Sequence, residues 1–263
     1  MNKLVEEANA GSKVALEKVI DSVKDLVYNL SLRMLLFPED AEDATQDILV
    51  KVVTHLSQFK GDSKLDTWVY RIAVNYLLNL KTKQKRKFAS FKAYADQIDT
   101  GQSPYIKYTQ NLGEQRLLEE EVKVSCTHGM LLCLNESNRM VYILGQILDF
   151  SSQEGAEILE MTPENFRKQL SRSKAKLRNF LQDKCGLANP KNPCRCAKKV
   201  DFLIQKQMIN PQALRFGKGN ERSLDLINTI NVLERSAALY RMTPTYATPE
   251  GVVKKMKETI NRL

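Results

Sequence analysis

The stretch Gly61 to Lys87, GDSKLDTWVYRIAVNYLLNLKTKQKRK, decides how the chain is read. Glycine and aspartate open it as a turn. The only Trp of the protein follows, and the segment closes in a basic run. Leu65, Val69, Ile72, Tyr76 and Leu80 recur at steps of three and four, which predicts a helix with these side chains on its apolar face. Trp68, Arg71, Asn75 and Asn79 fall on another face. An aromatic, a cation and two amides exposed together supply stacking, charge and hydrogen bonds, the set that an opened nucleic-acid strand requires. A core helix with a solvated polar side satisfies the same pattern, so the neighbouring sequence has to separate the two readings.

Upstream the pattern is helical. Residues 2–36 read as two helices broken at Gly11-Ser12, with Ser12 placed to cap the second. That helix carries Leu16, Val19, Ile20, Val23, Leu26, Val27 and Leu30 at core spacing. Pro38 suits a first helical turn, and Glu39 and Asp40 suit the positive end of a helix dipole. The next helix, AEDATQDILVKVVTHL, turns Ala41, Ala44, Ile48, Val52 and Leu56 inward and Asp43, Gln46, Asp47 and Lys51 outward. Gln58 to Asp62 forms a turn. Strand-like alternation is essentially absent, so the fold class is all-α.

From Phe88 to about Gly113 periodicity is weak, and the segment reads as a linker with helical pieces. Helical pattern returns over Glu114–Val124 and Met130–Leu134, then over Arg139–Leu148. Ser152–Glu160 is a short helix. Met161-Thr162-Pro163 makes a turn, with Thr162 as N-cap and Pro163 at the first helical position. A longer helix, ENFRKQLSRSKAKLRNFL, follows from Glu164. Phe166, Leu170, Leu177 and Leu181 face inward, and Arg167, Lys168, Arg172, Lys174, Lys176 and Arg178 are cations. Two helices joined this way fit a DNA-reading helix-turn-helix. Groove contacts are expected from Asn165, Arg167, Lys168, Gln169 and Ser171, and phosphate contacts from later cations such as Arg172 and Lys174. A helical hairpin with a solvated basic side is the alternative.

The totals agree with a polyanionic partner. The 263 residues hold 40 Lys+Arg against 31 Asp+Glu, a formal net charge of +9, and 43% hydrophobic residues suffice for globular cores. The N-terminus, MNKLVEEANAGSK, has no apolar secretory segment, and no run is long enough to span a membrane, so a cytoplasmic location is expected. An odd cysteine count of five then favours reduced thiols or metal ligands over a disulfide framework.

With both basic helices in view, the order of parts resembles bacterial RNA polymerase sigma factors of the extracytoplasmic-function class. AEDATQDILVKVV followed by FKGDSKLDTWVYRIAVNYLLNL is similar to their region two, with Ile48 or Leu49 where an aromatic is common and Leu65 for the usual Phe. LNESNRMVYILGQILDFSSQEGAEILEMTPENFRKQLSRSKAKLRNFL is similar to region four. The resemblance implies a subunit without catalytic activity of its own that brings core polymerase, through its largest and second-largest subunits, to promoters and helps to open the DNA. It implies that Asp43, Gln46, Asp47 and Lys51 dock on core polymerase. It places Ser63, Lys64, Thr67, Trp68, Arg71 and Asn75 at the non-template strand of the minus-ten element, with Lys81, Lys83, Lys85, Arg86 and Lys87 on phosphates upstream. Trp68 stays open between stacking on a base and supporting the helix from within. Asn165, Arg167, Lys168, Gln169, Ser171, Arg172 and Lys174 would then meet the minus-thirty-five duplex. An anti-sigma factor is a further partner that the resemblance allows.

The expected organisation is region two over 1–87, a linker over 88–120, region four over 121–183 and a Cys-containing helical extension over 184–263. The extension opens with CGLANPKNPCRCAKKV. Its CGLANPKNPCRC and YRMTPTY segments are similar to those of extensions in a subgroup of sigma factors. Cys185, Cys194 and Cys196 in a Pro- and Asn-rich knuckle fit a zinc site, with Cys126 or His128 as fourth ligand and Cys126 preferred. Thiols packed in a core, or a redox pair at Cys194 and Cys196, are the competing readings, and no cofactor is required for the implied function. The extension is expected to pack on region four.

Two other functions compete. A stand-alone helix-turn-helix regulator would have no use for the docking helix or the aromatic strand site. A nuclease or recombinase would need an acidic metal cluster or a nucleophile with its base. The chain offers only His55 and His128 and has no phosphate-cradling glycine loop.

Overall fold

The structure is a computed structural model that describes residues 1–80, 90–101, 103, 108–214 and 245–262. The basic run Lys81, Lys83, Lys85, Arg86 and Lys87 and residues 215–244 of the expected helical extension lie outside the described residues. The helices are α1 Asn2–Asn9, α2 Lys13–Leu35, α3 Pro38–His55, α4 Leu65–Asn79, α5 Phe91–Asp99, α6 Leu112–Leu131, α7 Glu136–Tyr142, α8 Ser152–Ile158, α9 Pro163–Lys184, α10 Val200–Gln205 and α11 Glu250–Arg262. A π-helical turn, Ile143–Ile147, prolongs α7. Among the described residues the only strand-like pairing is a single bridge between Cys185 and Cys194, so the all-α expectation holds. No helix among them is long and apolar enough to cross a membrane.

The chain divides into two compact units. The first takes the described residues of Met1–Gln84, Phe150–Phe166 and Thr245–Leu263. Helix α2 is its axis and packs on α1, α3 and α4. Ser12 caps it as expected, its Oγ accepting from the Ala15 N–H at 3.3 Å. Every residue from Val27 to Met34 is buried, because this half of α2 is covered all round. Of the expected core positions, Leu16 and Leu26 are only half-buried. On α3 the expected stripe Ala41, Ala44, Ile48 and Val52 is buried, as is Leu56 just after it, and Thr45 and Leu49 join them.

The last helix, α11, packs against α3 and α2 within this unit. Val252, Met256 and Ile260 recur at four-residue steps and are all buried. They share a cleft with Ile20 and Leu49. Polar bonds tie down the segment before α11. The Asn29 side chain donates to the Tyr246 carbonyl at 2.7 Å and accepts from the Tyr246 N–H at 2.8 Å. Asp25 accepts from both the N–H and the hydroxyl of Thr248. The final part of the extension therefore packs on region-two helices, where the sequence reading expected the extension on region four.

The second unit takes the described residues of Lys85–Asp149 and Arg167–Pro244. Its main core gathers Tyr94 and Ile98 of α5, Met130 and Leu131 of α6, and Leu177, Phe180 and Leu181 of α9. Residues 91–99, read as linker from their weak periodicity, thus supply part of a core: Phe91 and Tyr94 both lie against the Phe180 ring. The buried Arg139 guanidinium donates to the carbonyls of Leu131, Leu132 and Leu134, satisfying the end of α6 and the loop beyond it. A second core joins Leu118 and Val122 of α6 to Val200 and Ile209.

Candidate nucleic-acid interface

Helix α3 presents its polar face as predicted. Asp43, Asp47 and Lys51 are exposed and Gln46 is half-buried, opposite the buried stripe. Asp47 accepts a 2.5 Å hydrogen bond from the Tyr76 hydroxyl of α4. Burial, and then this bond to a carboxylate, push the Tyr76 phenol well above its ordinary pKa. Helix α11 lies along the neighbouring edge of α3, where burial raises the Glu42 carboxyl, Glu39 and Asp43 raise it further, and Lys255 opposes the rise.

The turn before α4 is built on Gly61, whose φ of +81° suits glycine. Lys64 is exposed, Ser63 and Thr67 are half-buried, and Asn75 is exposed. Leu65, Val69, Ala73, Val74 and Leu77 form the inward face of α4, whereas Ile72, Tyr76 and Leu80 are half-buried. The four-step run 65, 69, 73, 77 is the contact seam, and Ala73 within it is too small to stand out in the apolar pattern. Trp68 is half-buried with its ring 5.6 Å from that of Phe59 at 60°. It leans on the turn before α4 and keeps part of its surface in solvent, where both the supporting and the stacking role have room. Arg71 forms an ion pair with Glu157 of α8, and Tyr70 meets Phe150 edge to face at 5.0 Å.

The helix-turn-helix carries the local signals that its sequence promised, and one more. Ser151 and Glu154 form a reciprocal capping box at α8, which holds the Glu154 carboxyl below its ordinary pKa. Glu160 takes a left-handed φ of +52° as the chain leaves α8. Thr162 accepts from the Asn165 N–H at 3.2 Å and caps α9. Phe166 is fully buried, and a Cβ on Gly155 would come within 2.4 Å of its ring. The outer face of α9 exposes Asn165, Arg167, Lys168, Ser171, Arg172 and Lys174. Gln169 is half-buried and accepts from the Ser137 hydroxyl at 3.3 Å, and Ser173 donates to the Asn138 carbonyl at 3.5 Å. These bonds seat α9 on α7 and leave its cationic side outward.

Residues 19–87 match the Sigma-70 region 2 family and residues 126–177 match Sigma-70, region 4. The chain is an RNA polymerase sigma factor. It is 28% identical over 187 residues to the ECF RNA polymerase sigma factor SigW of Bacillus subtilis, covering 70% of this chain and 97% of that protein. It is 27% identical over 180 residues to the ECF RNA polymerase sigma-E factor of Escherichia coli strain K12 and 23% identical over 180 residues to the RNA polymerase sigma-H factor of Pseudomonas aeruginosa. Each of these matches covers 68% of this chain and 93% of the relative. Both helical surfaces described above fall in the matched regions of the sigma factor, apart from the tail helix α11.

Several positioning residues escaped the sequence. Glu157 shows no signal beyond being acidic, yet it engages Arg71. Asp25 and Asn29 sit within α2 as ordinary polar residues, and their partners lie more than two hundred positions away. The five cysteines of the sigma factor are all unbridged. Among the described residues no three Cys, His, Asp or Glu side chains already stand as a metal-holding group.

Proposed function

We propose that this sigma factor docks on core polymerase through Asp43, Gln46, Asp47 and Lys51 of α3 and holds the melted minus-ten strand with Ser63, Lys64, Thr67, Trp68, Arg71 and Asn75. The exposed side of α9 reads the minus-thirty-five duplex. The carrying observation is that, within the region matched as Sigma-70 region 2, the α3 carboxylates and the α4 polar side chains remain on solvent-facing surfaces while their helices share one core. Carboxylates spaced one turn apart steer and seat a basic partner. A half-buried turn followed by a helix start offers amides, hydroxyls and cations to bases whose stacking has been lost. Cations on an exposed helix beside short polar side chains suit a major groove, phosphates fixing register and base edges specifying sequence. The work is done where core polymerase acts, in the cytoplasm.

The test mixes full-length protein with core polymerase and a promoter library. Co-elution with core and start-site-specific transcripts are expected. Duplex binding without core association would favour a stand-alone regulator instead.

A further inference from the structure

Four of the five cysteines converge although they come from three segments. Cys126 lies in α6, Cys185 follows α9, and Cys194 and Cys196 stand beyond the Pro- and Asn-rich loop. Cys126, Cys185 and Cys194 pack on the same core, and the backbones of Cys185 and Cys194 pair in the single bridge. The Cys196 thiol lies within electrostatic reach of the other three. Cys133 also touches the core, but its electrostatic partner is Arg139 and none of the other cysteines.

The loop between them is built. Burial pushes the Cys185 thiol above its ordinary pKa, against the backbone N–H groups of Ala188 and Leu187 that donate to its sulfur and the nearby Arg195. Asn189 and Asn192 both donate to the Gln182 carbonyl, at 3.0 and 2.8 Å, which folds the loop back onto the end of α9. Arg195 donates to the carbonyls of Asn192, Cys194 and Pro190. A Cβ at Gly186 would fall 1.8 Å from the Arg195 guanidinium and 2.0 Å from the Cys194 carbonyl, so only glycine allows the two sides to close. Cations surround the group: Arg195 acts on Cys185 and Cys194, Lys199 on Cys126 and Cys194, and Lys123 on Cys196.

We propose that Cys126, Cys185, Cys194 and Cys196 bind one zinc ion as a tetrathiolate that fastens the start of the extension to α6. Binding breaks four S–H bonds and forms four Zn–S bonds. Four protons leave to solvent, no electron is transferred, and the product carries a net charge of −2, which Arg195 and Lys199 partly offset, Lys123 being ion-paired with Glu120. No three of these thiols stand at ligand spacing among the described residues; zinc binding would have to draw the four side chains inward to Zn–S distances of about 2.3 Å. Soft sulfur donors in a tetrahedron select zinc over hard cations. Cys126 opens the matched region-four segment and Cys185 stands just past its helix, so the metal would close that helical unit at both ends.

Elemental analysis of full-length protein purified without chelator tests this. One zinc per chain is expected, and cobalt replacing it should give a thiolate-to-cobalt charge-transfer band. Cys185→Ser and Cys196→Ser should lose the metal, and Cys133→Ser should keep it. Should the ligand variants fail to fold, the wild-type metal content and cobalt spectrum still decide. Metal-free wild-type protein with no cobalt band, an iron–sulfur chromophore, or a disulfide among Cys185, Cys194 and Cys196 would overturn the proposal. So would loss of zinc in Cys133→Ser. None of these outcomes bears on promoter recognition, which is read from transcripts.

Discussion

Gly155→Ala tests how the helix-turn-helix is held. Gly155 lies inside α8, and a methyl group there would stand 2.4 and 2.5 Å from two carbons of the Phe166 ring. Ordinary carbon contacts are about 3.5–4.0 Å, so the overlap exceeds an ångström. Phe166 is fully buried and the ring has no exposed direction in which to swing. Overpacking of this kind costs about 1–3 kcal/mol. Alanine regains up to about 1 kcal/mol over glycine in a helix interior, leaving a net loss of roughly 1–2 kcal/mol. Because Phe166 sits in the first turns of α9, the same strain shifts the residues expected in the groove. Urea unfolding should show the lost stability, and fluorescence anisotropy on a minus-thirty-five duplex should show weaker binding. Phe166→Leu in the same chain should recover part of both, with a coupling of about 0.5–3 kcal/mol between the sites. If Gly155→Ala equals or exceeds the parent in stability and duplex affinity, helix propensity outweighs the clash and the close packing inferred between these residues is wrong.

Arg167→Ala and Lys168→Ala should each weaken duplex binding by about 1–3 kcal/mol if they read bases, while co-elution with core polymerase is unchanged. Met256→Ala empties a buried position of α11; a cost of about 2–5 kcal/mol is expected, appearing as faster hydrogen exchange over residues 245–262. Glu157→Gln releases Arg71 from its ion pair, and affinity for single-stranded minus-ten DNA should rise about twofold to fivefold, the range an exposed pair permits, with Arg71→Ala abolishing the gain. Burial, ahead of any nearby charge, pushes the phenols of Tyr28 and Tyr70 up to about 12. The unfolded chain loses these protons near about pH 10, so between that value and about 12 the folded state holds more protons and stability falls as pH rises. Unfolding midpoints measured from pH 9 upward, with tyrosinate absorbance alongside, check the window; midpoints that stay level would refute it.

Much of this molecule is legible in one dimension because its signals are local. Ser12, Thr162 and the α3 stripe act within a turn or two of helix, where spacing determines geometry, and each is found in its expected place. The motifs of regions two and four are likewise contiguous, so the family and the faces of α3 and α9 could be read directly. Net charge points to a polyanionic partner, and helical spacing without strand-like alternation points to an all-α chain. What remained closed to the sequence depends on partners far along it. Weak periodicity hid α5, since only the Phe180 ring across the core gives Phe91 and Tyr94 something to bury against. Spacing gives no sign that the Trp68 ring lies against Phe59. Arg71 reads as a free cation until Glu157 approaches it. The tail gives no sign that Tyr246 and Thr248 will bond to Asn29 and Asp25, because one amide and one carboxylate carry no address; tertiary packing brings them together. The spacing picked out Cys185, Cys194 and Cys196 in one knuckle, and only the fold packs Cys126 of α6 on the same core as Cys185 and Cys194.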